Sequence, residues 1–119
     1  MRLVILETPY ADDVKANVRF AIACLRDCLQ RGESPFASHL LYTQVLDDTI
    51  PDDRALGISA GLAWGMKADA TVVYVDRGIS SGMRQGIEHA KSSGRPVEYR
   101  SLYALYSKAS KALETEAVA

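Results

Sequence analysis

The stretch Val72-Val73-Tyr74-Val75-Asp76-Arg77-Gly78-Ile79-Ser80-Ser81-Gly82-Met83 decides the fold class of this chain. Four residues that favour β-structure end in an aspartate, and a glycine and two serines separate them from a helical pattern. In an open parallel sheet, ligands bind at the carboxyl ends of the strands, where such a loop lies. The backbone N–H groups that open the next helix suit a phosphate or another anion. The segment therefore predicts a small-molecule site, for a nucleotide-like ligand.

Length and composition fit a single globular domain, residues 1–119, with 48% hydrophobic residues. The formal net charge of −1 gives no electrostatic reason to expect a nucleic-acid polymer or an anionic membrane as partner. No apolar run approaches the ~20 residues that a membrane span needs. The apolar start of the chain ends at Glu7, which is too short for a signal-peptide core. We therefore expect a cytoplasmic protein.

The two cysteines, Cys24 and Cys28, lie four residues apart in a helical pattern, on adjacent turns of one face. Only His39 and His89 are available as further soft ligands, which disfavours a zinc site. We expect buried thiols, no metal and no cofactor.

Strand and helix patterns alternate along the chain, which predicts an α/β fold with a mainly parallel sheet of four or five strands. Right-handed crossovers place the strands most simply in the order 2-1-3-4. The predicted strands are 3–6, 36–41, 70–75 and 97–99. The predicted helices are 14–30, 52–66, 80–93 and a C-terminal helix within 101–119 with a frayed end.

This order puts the switch point between the first and third strands, so the loops 7–11 and 76–82 are expected to meet at one crevice. The segment 43–51 has no periodicity and is a candidate lid or site-lining segment. Gly57, Gly61 and Gly65 follow at four-residue spacing on one helix face. They indicate close packing on the sheet or, alternatively, the close approach of a partner helix or a ligand.

Two carboxylates are candidates for chemistry. Glu7 ends the first strand, where it could bind ribose hydroxyls or act as nucleophile or base, or simply cap the strand or form an ion pair. Asp76 ends the third strand, where it could hold a ribose hydroxyl or orient the catalytic groups, or cap a tight turn.

The remaining candidates are ligand contacts with a structural alternative for each. A serine before a helix suits a phosphate site and equally an N-cap. A tyrosine at a loop start can stack on a base, and a histidine can donate a proton near neutral pH, but both occur as ordinary structural groups. The candidate ligand-binding residues are Pro9, Tyr10, Asn17, His39, Tyr42, Gly78, Ser80, Ser81, Gly82 and Met83.

A family resemblance joins these segments. The strand followed by Thr8-Pro9-Tyr10 resembles the opening of the nucleoside 2-deoxyribosyltransferases and their small relatives, which include nucleotide N-glycosidases and uncharacterised bacterial and phage proteins. Asp76-x-Gly78-x-Ser80-Ser81-Gly82, a helix and Gly94-Arg95-Pro96-Val97 resemble the second half of that family. The resemblance implies a flavodoxin-like, Rossmann-like three-layer sandwich, a nucleoside or nucleotide as ligand, and a homodimer or larger homo-oligomer.

One position departs from that family. The transferases carry a nucleophilic glutamate early in the helix after the Gly/Ser loop, and the corresponding residue here is Gly82 or Gly86, depending on the alignment. Glu88 is the nearest carboxylate, but it lies about 200° around the helix from Gly86. Two hypotheses follow: a hydrolase or transferase acting at an N-glycosidic bond, or an inactive module that binds, sequesters or senses a nucleotide.

Overall fold

The computed structural model describes residues 1–103. Its elements are β1 Arg2–Glu7, α1 Val14–Gln30, β2 Glu33–Phe36, α2 Ser38–Leu41, a 3₁₀ turn Tyr42–Gln44, α3 Pro51–Gly65, β3 Ala70–Tyr74, α4 Ser81–Ser92 and β4 Val97–Arg100. Helical backbone begins again at Leu102. Apart from those first residues, the predicted C-terminal helix lies outside the described part of the chain.

The four strands of the described residues form one parallel sheet in the order β2-β1-β3-β4. The predicted α/β class and strand order are therefore confirmed. Central β1 pairs with β2 through Ile5 and Phe36, and with β3 through Val4 and Ala70. Because all strands run in one direction, the carboxyl ends of β1 and β3 lie side by side at the same end of the sheet, and the loops that follow them start there.

Helix α1 covers one face of the sheet and builds the larger core. Its stripe of apolar residues meets the side chains that β1 and β3 point toward it. The buried members are Val4, Leu6, Phe20, Cys24, Cys28, Ala37, Ala70, Val72 and Tyr74. The two thiols are free and buried.

Helices α3 and α4 lie on the opposite face, where the core is smaller. Val73 of β3 packs with Met83 and Ile87 of α4, and Val97 of β4 joins them. Toward β1 and β2 this face carries no such cluster among residues 1–103, and a cleft lies there instead. The thinner packing on this side thus makes room for a site.

The predicted second strand, 36–41, is wrong in position. Strand β2 is Glu33–Phe36, and residues 38–41 form the short helix α2. A short apolar run fits a buried strand and a helix segment equally well, so the pattern alone could not separate them. The strand lies earlier because buried Glu33 is held by arginine side chains from β1 and β4. Pro35 is tolerated in β2 because this strand is at the edge of the sheet.

The other helices agree with the predictions to within about a turn. Helix α3 begins with Pro51 in its first turn, where a missing N–H costs nothing, and Asp52 and Asp53 follow. The segment 43–51, predicted as a lid or site-lining segment, overlaps at its start with the 3₁₀ turn Tyr42–Gln44. Within residues 1–103, no helix combines the length and the apolar character needed to cross a bilayer.

Candidate functional site

A cleft of about 1040 Å³, counting the solvent space at its mouth, opens where β1 ends between α2, α3 and α4. Most of the residues predicted for the site line the cleft. They are Glu7, Tyr10, His39, Tyr42, Ser80, Ser81, Gly82 and Met83.

The Glu7 carboxylate lies at the floor of the cleft, on the sheet face that α4 covers. Among residues 1–103 it has no hydrogen bond or ion pair. Burial raises the pKa of Glu7 to about 8, and the charge of Arg95 opposes this shift. The carboxyl group is therefore mostly protonated at neutral pH and is available to a ligand. This state is typical of a carboxylate prepared for proton transfer.

Arg95 is the buried cation of the cleft, 9% exposed. Its side chain donates from Nε to Thr71 Oγ1 at 3.0 Å and from a terminal nitrogen to the Gly65 carbonyl oxygen at 2.6 Å. A third contact joins it to His89 Nδ1 at 3.4 Å. All these partners are neutral acceptors or a histidine, so no carboxylate among residues 1–103 is hydrogen-bonded to this guanidinium. Burial lowers the pKa of Arg95, and the Glu7 charge opposes that effect.

The glycines of α3 face this cleft. A Cβ atom on Gly61 would lie 2.8 Å from the Cβ of Ser38, so the missing side chain lets α2 approach α3. A Cβ atom on Gly65 would lie 3.0 Å from an Arg95 nitrogen. The glycine stripe thus accommodates α2 and Arg95, and the third member, Gly57, meets only the side chains of Leu46 and Tyr42 at ordinary distances.

His39 and Thr8 form a second polar pair in the wall of the cleft. Thr8 Oγ1 and His39 Nε2 are 2.6 Å apart. Burial lowers the pKa of His39 to about 4, although the charge of Asp48 acts in the other direction. The imidazole is therefore neutral at physiological pH, and it can donate or accept a hydrogen bond but carries no charge to a ligand.

The start of α4 forms the side of the cleft opposite α2. Ser80 is the N-cap of this helix, and its Oγ accepts a hydrogen bond from the Met83 N–H at 3.3 Å. Ser81 Oγ accepts from Arg54 of α3 at 3.4 Å, and Arg54 also pairs with Asp48 at 3.0 Å. The structural role predicted as an alternative for the serines is therefore present, and Arg54 adds a positive charge beside them.

Four predicted residues lie outside the lining of the cleft. Asp76 accepts hydrogen bonds from Ser101 Oγ and from the Leu102 and Tyr103 N–H groups, so it holds the start of the following helical segment. Asn17 donates to the carbonyl oxygens of Tyr10 and Ala11 and accepts from Arg77 Nε, which ties the two crevice loops together. Gly78 adopts a positive φ of 84° in its turn, and Pro9 is buried.

Sequence reasoning singled out neither Arg95 nor Thr8 nor Arg54 as a site residue. Arg95 belongs to a Gly-Arg-Pro turn before a strand, and nothing in that pattern indicates burial. Its position depends on the space at Gly65, which is thirty residues away in sequence. Thr8 follows Glu7 directly, so its place next to the crevice could have been inferred. Within residues 1–103, no three His, Cys, Asp or Glu side chains are grouped to hold a metal ion.

With this geometry established, the family can be assigned. A family model described as a domain of unknown function, DUF7768, matches residues 2–100. The chain belongs to the DUF7768 family. No curated protein matches this DUF7768 chain significantly.

A solved structure extends the comparison. The DUF7768 chain is similar to a 2-deoxyribosyltransferase from the psychrotolerant bacterium Bacillus psychrosaccharolyticus, with a TM-score of 0.59 and 19% sequence identity. The match covers 82% of this chain and 70% of the transferase chain. At that identity the likeness establishes the fold alone, and it supports the predicted remote relationship at that level.

Proposed function

We propose that this protein binds a nucleoside or nucleotide in the cleft and acts at its N-glycosidic bond, as a hydrolase or a deoxyribosyltransferase-like enzyme. The observation that carries the proposal is the Glu7 carboxyl group: partly buried, without a hydrogen-bond partner among residues 1–103, and placed at the end of β1 on the cleft floor. The transferase-like fold adds support, because the similar solved structure is that of a 2-deoxyribosyltransferase.

The chemistry follows from the protonated state of Glu7. As the bond between the anomeric carbon and the base breaks, its electron pair moves to the base, and Glu7 donates a proton to a base nitrogen. The carboxylate that remains stabilises positive charge on the sugar. A water molecule, or a protonated ring nitrogen of an acceptor base, then bonds to the anomeric carbon and returns its proton to Glu7. Atoms and charge balance over this cycle, and Glu7 ends as it began.

The other groups of the cleft are assigned to binding. Tyr10 and Tyr42 line the walls and offer aromatic surface to a base, and the neutral His39 offers a hydrogen bond. The start of α4 with Ser81 and the nearby Arg54 would hold a phosphate if the ligand carries one. Asp76, the second carboxylate considered for catalysis, is engaged by the segment after β4, and we assign it no step.

A nucleotide-binding module without catalysis is the second candidate. The observation in its favour is that α4 carries no acidic residue in its first turn, and that Gly82 and Gly86 occupy the positions where the resembled enzymes have their nucleophile. Such a module would bind, sequester or sense a nucleotide in the same cleft. The two candidates share the ligand and differ only in whether base is released.

One experiment separates them. The protein is incubated with nucleoside monophosphates and deoxynucleosides, released base is followed by chromatography, and ligand-dependent shifts in Tm are recorded for the same panel. We expect base release that falls as the pH rises through about 8, because Glu7 then loses its proton. Glu7→Gln should abolish release and retain the Tm shift. A shift without release would favour the binding module, and no shift with any member would contradict both.

The predicted homo-oligomer is retained as part of this proposal. Leu56 and Trp64 of α3 are more than half exposed and offer apolar surface to a second subunit. Light scattering at several protein concentrations tests this point. A monomer at all concentrations would contradict it.

A further inference from the structure

The Glu7 carboxyl group lies at the point of the cleft floor where a side chain at position 86 would begin. A Cβ atom built on Gly86 would lie 2.7 Å from Glu7 Oε2, 2.6 Å from the carboxyl carbon and closer still to Oε1. All three contacts are shorter than real Cβ contacts. The carboxyl group of β1 therefore occupies the space directly in front of the α4 backbone, and only glycine at position 86 leaves that space open.

The distances also define what a longer side chain at position 86 would reach. In a glutamate, the carboxyl carbon lies about 2.5 Å from its own Cβ, at the end of two carbon–carbon bonds. This nearly equals the 2.6 Å that separates the Gly86 Cβ position from the carboxyl carbon of Glu7. A glutamate on α4 can thus bring its carboxyl group to the point that Glu7 occupies from β1.

Gly86 is unusual on its helix in this respect. Gly82 lies one turn earlier on α4 and also lines the cleft, but a Cβ atom there would meet only an Arg54 nitrogen at 3.7 Å, an ordinary contact. Gly86 is one of the buried residues of α4, with Met83 and Ile87, and it lies in the middle of the helix, where glycine is otherwise unfavourable. Glu7 supplies the reason for a glycine at this position.

We infer that a side chain from β1 and a side chain from α4 can each place a carboxyl group at the same catalytic point. Gly86 is a positioning residue, because its missing side chain leaves room for the Glu7 carboxyl group. A glutamate at position 86 can therefore replace Glu7. This inference rests on the proposed function, because replacement is measured as release of base. The inference places the active carboxyl group of this chain on β1 and explains why α4 needs no carboxyl group at this point.

The test is an exchange of the two residues. Glu7→Ala should lose at least a hundredfold in base release, and the double variant Glu7→Ala, Gly86→Glu should regain at least tenfold over it. The single variant Gly86→Ala should lose at least tenfold although Glu7 is intact, because its methyl group displaces the end of the Glu7 side chain. Tm values for all variants show whether each is folded.

A double-mutant cycle measured by Tm tests the same contact without any measurement of activity. Alanine is the better helix former, so Gly86→Ala should raise the Tm in the Glu7→Ala background and raise it less, or lower it, when Glu7 is present. Gly82→Ala is the matched control and should have the same effect on Tm in both backgrounds.

The outcomes are distinguishable. If the wild type releases base and a folded double variant does not regain it, the inference is wrong and the proposed function stands. If the wild type releases no base, the proposed function fails and replacement of Glu7 fails with it. Equal Tm effects of Gly86→Ala in the two backgrounds would show that the residues do not share a point, and would overturn the inference in either case.

Discussion

The two faces of the sheet treat their charged groups in opposite ways. On the α1 face, Glu33 and Arg100 are both about 7% exposed and lie 2.7 Å apart, so each buried charge has a partner. On the cleft face, Glu7 and Arg95 lie near each other, but no hydrogen bond or ion pair joins them. The first face uses ionisable side chains to stabilise the fold. The second retains them at a cost in stability, as expected where a ligand will complete the set.

Neutralising Glu33 should have the largest effect of the tests of this contrast. The Glu33→Gln variant removes the closer and more buried of the two counter-charges of Arg100 and leaves only Glu98, at 3.6 Å. We therefore expect a loss of up to about 3 kcal/mol in the free energy of unfolding at pH 7. Urea denaturation measures it. Hydrogen bonds from Arg100 lower the pKa of Glu33, so its contribution should be lost as the pH falls through that lowered pKa. A loss below 1 kcal/mol would show that the pair contributes little to the fold.

The same substitution on the other face should act in the opposite direction. Unfolded Glu7 titrates near 4.5 and folded Glu7 near 8, so the folded state binds the extra proton between these values. Stability should therefore fall as the pH rises from about 4.5 to about 8. Glu7→Gln removes this dependence, and at pH 7 we expect a gain of about 2 kcal/mol.

The control for this prediction is on α4. Glu88 is exposed, and Glu88→Gln should change the free energy of unfolding by less than about 0.5 kcal/mol. Urea denaturation of wild type and both variants between pH 5 and pH 9 provides the comparison. Parallel pH profiles for wild type and Glu7→Gln would contradict the assignment of an unpaired, desolvated carboxyl group to Glu7.

The contrast between the faces also marks what the sequence could predict. The fold follows from the continuous apolar run 70–75, typical of a strand covered on both faces, and from the periodic apolar stripe of α1. The same reasoning failed at 36–41, a run of the same length that contains Ser38 and His39 and fits a helix segment as well as a strand. The position of β2 depends on Glu33 meeting Arg100, which is 67 residues away in sequence.

The candidate site divides along the same line. Glu7 and the start of α4 could be predicted, because their positions follow from strand order and from the loops that begin where β1 and β3 end. Arg95 could not, since its burial depends on a vacancy at Gly65 of another helix. For Asp76, the structural alternative of capping a turn was closer to what the structure shows. Its hydrogen-bond partners lie beyond β4, however, and no local sequence pattern indicates them.

The glycines of α3 allow a test of the space on the cleft face. Gly61→Ala would set a methyl group 2.8 Å from the Cβ of Ser38, which is attached to the backbone of α2 and cannot rotate away. We expect a net loss of about 1–2 kcal/mol in the free energy of unfolding, as is usual for overpacking. The matched control is Gly57→Ala, whose nearest atom is a mobile Leu46 methyl at 3.5 Å. Equal effects on urea unfolding would mean that α2 moves freely.

The smallest expected effect concerns the neutral pair of the cleft. Thr8 is 4% exposed, and its Oγ1 lies 2.6 Å from His39 Nε2. Thr8→Val keeps the shape of the side chain but leaves the partly buried imidazole of His39 without this partner, so we expect a loss of about 1 kcal/mol. Thr49→Val is the control, since Thr49 Oγ1 makes a bond of the same length to Asp47 on the exposed surface, where water replaces it. If urea unfolding gives equal values for the two variants, burial adds nothing to the pair, and the cleft face would hold its polar groups no more firmly than the surface does.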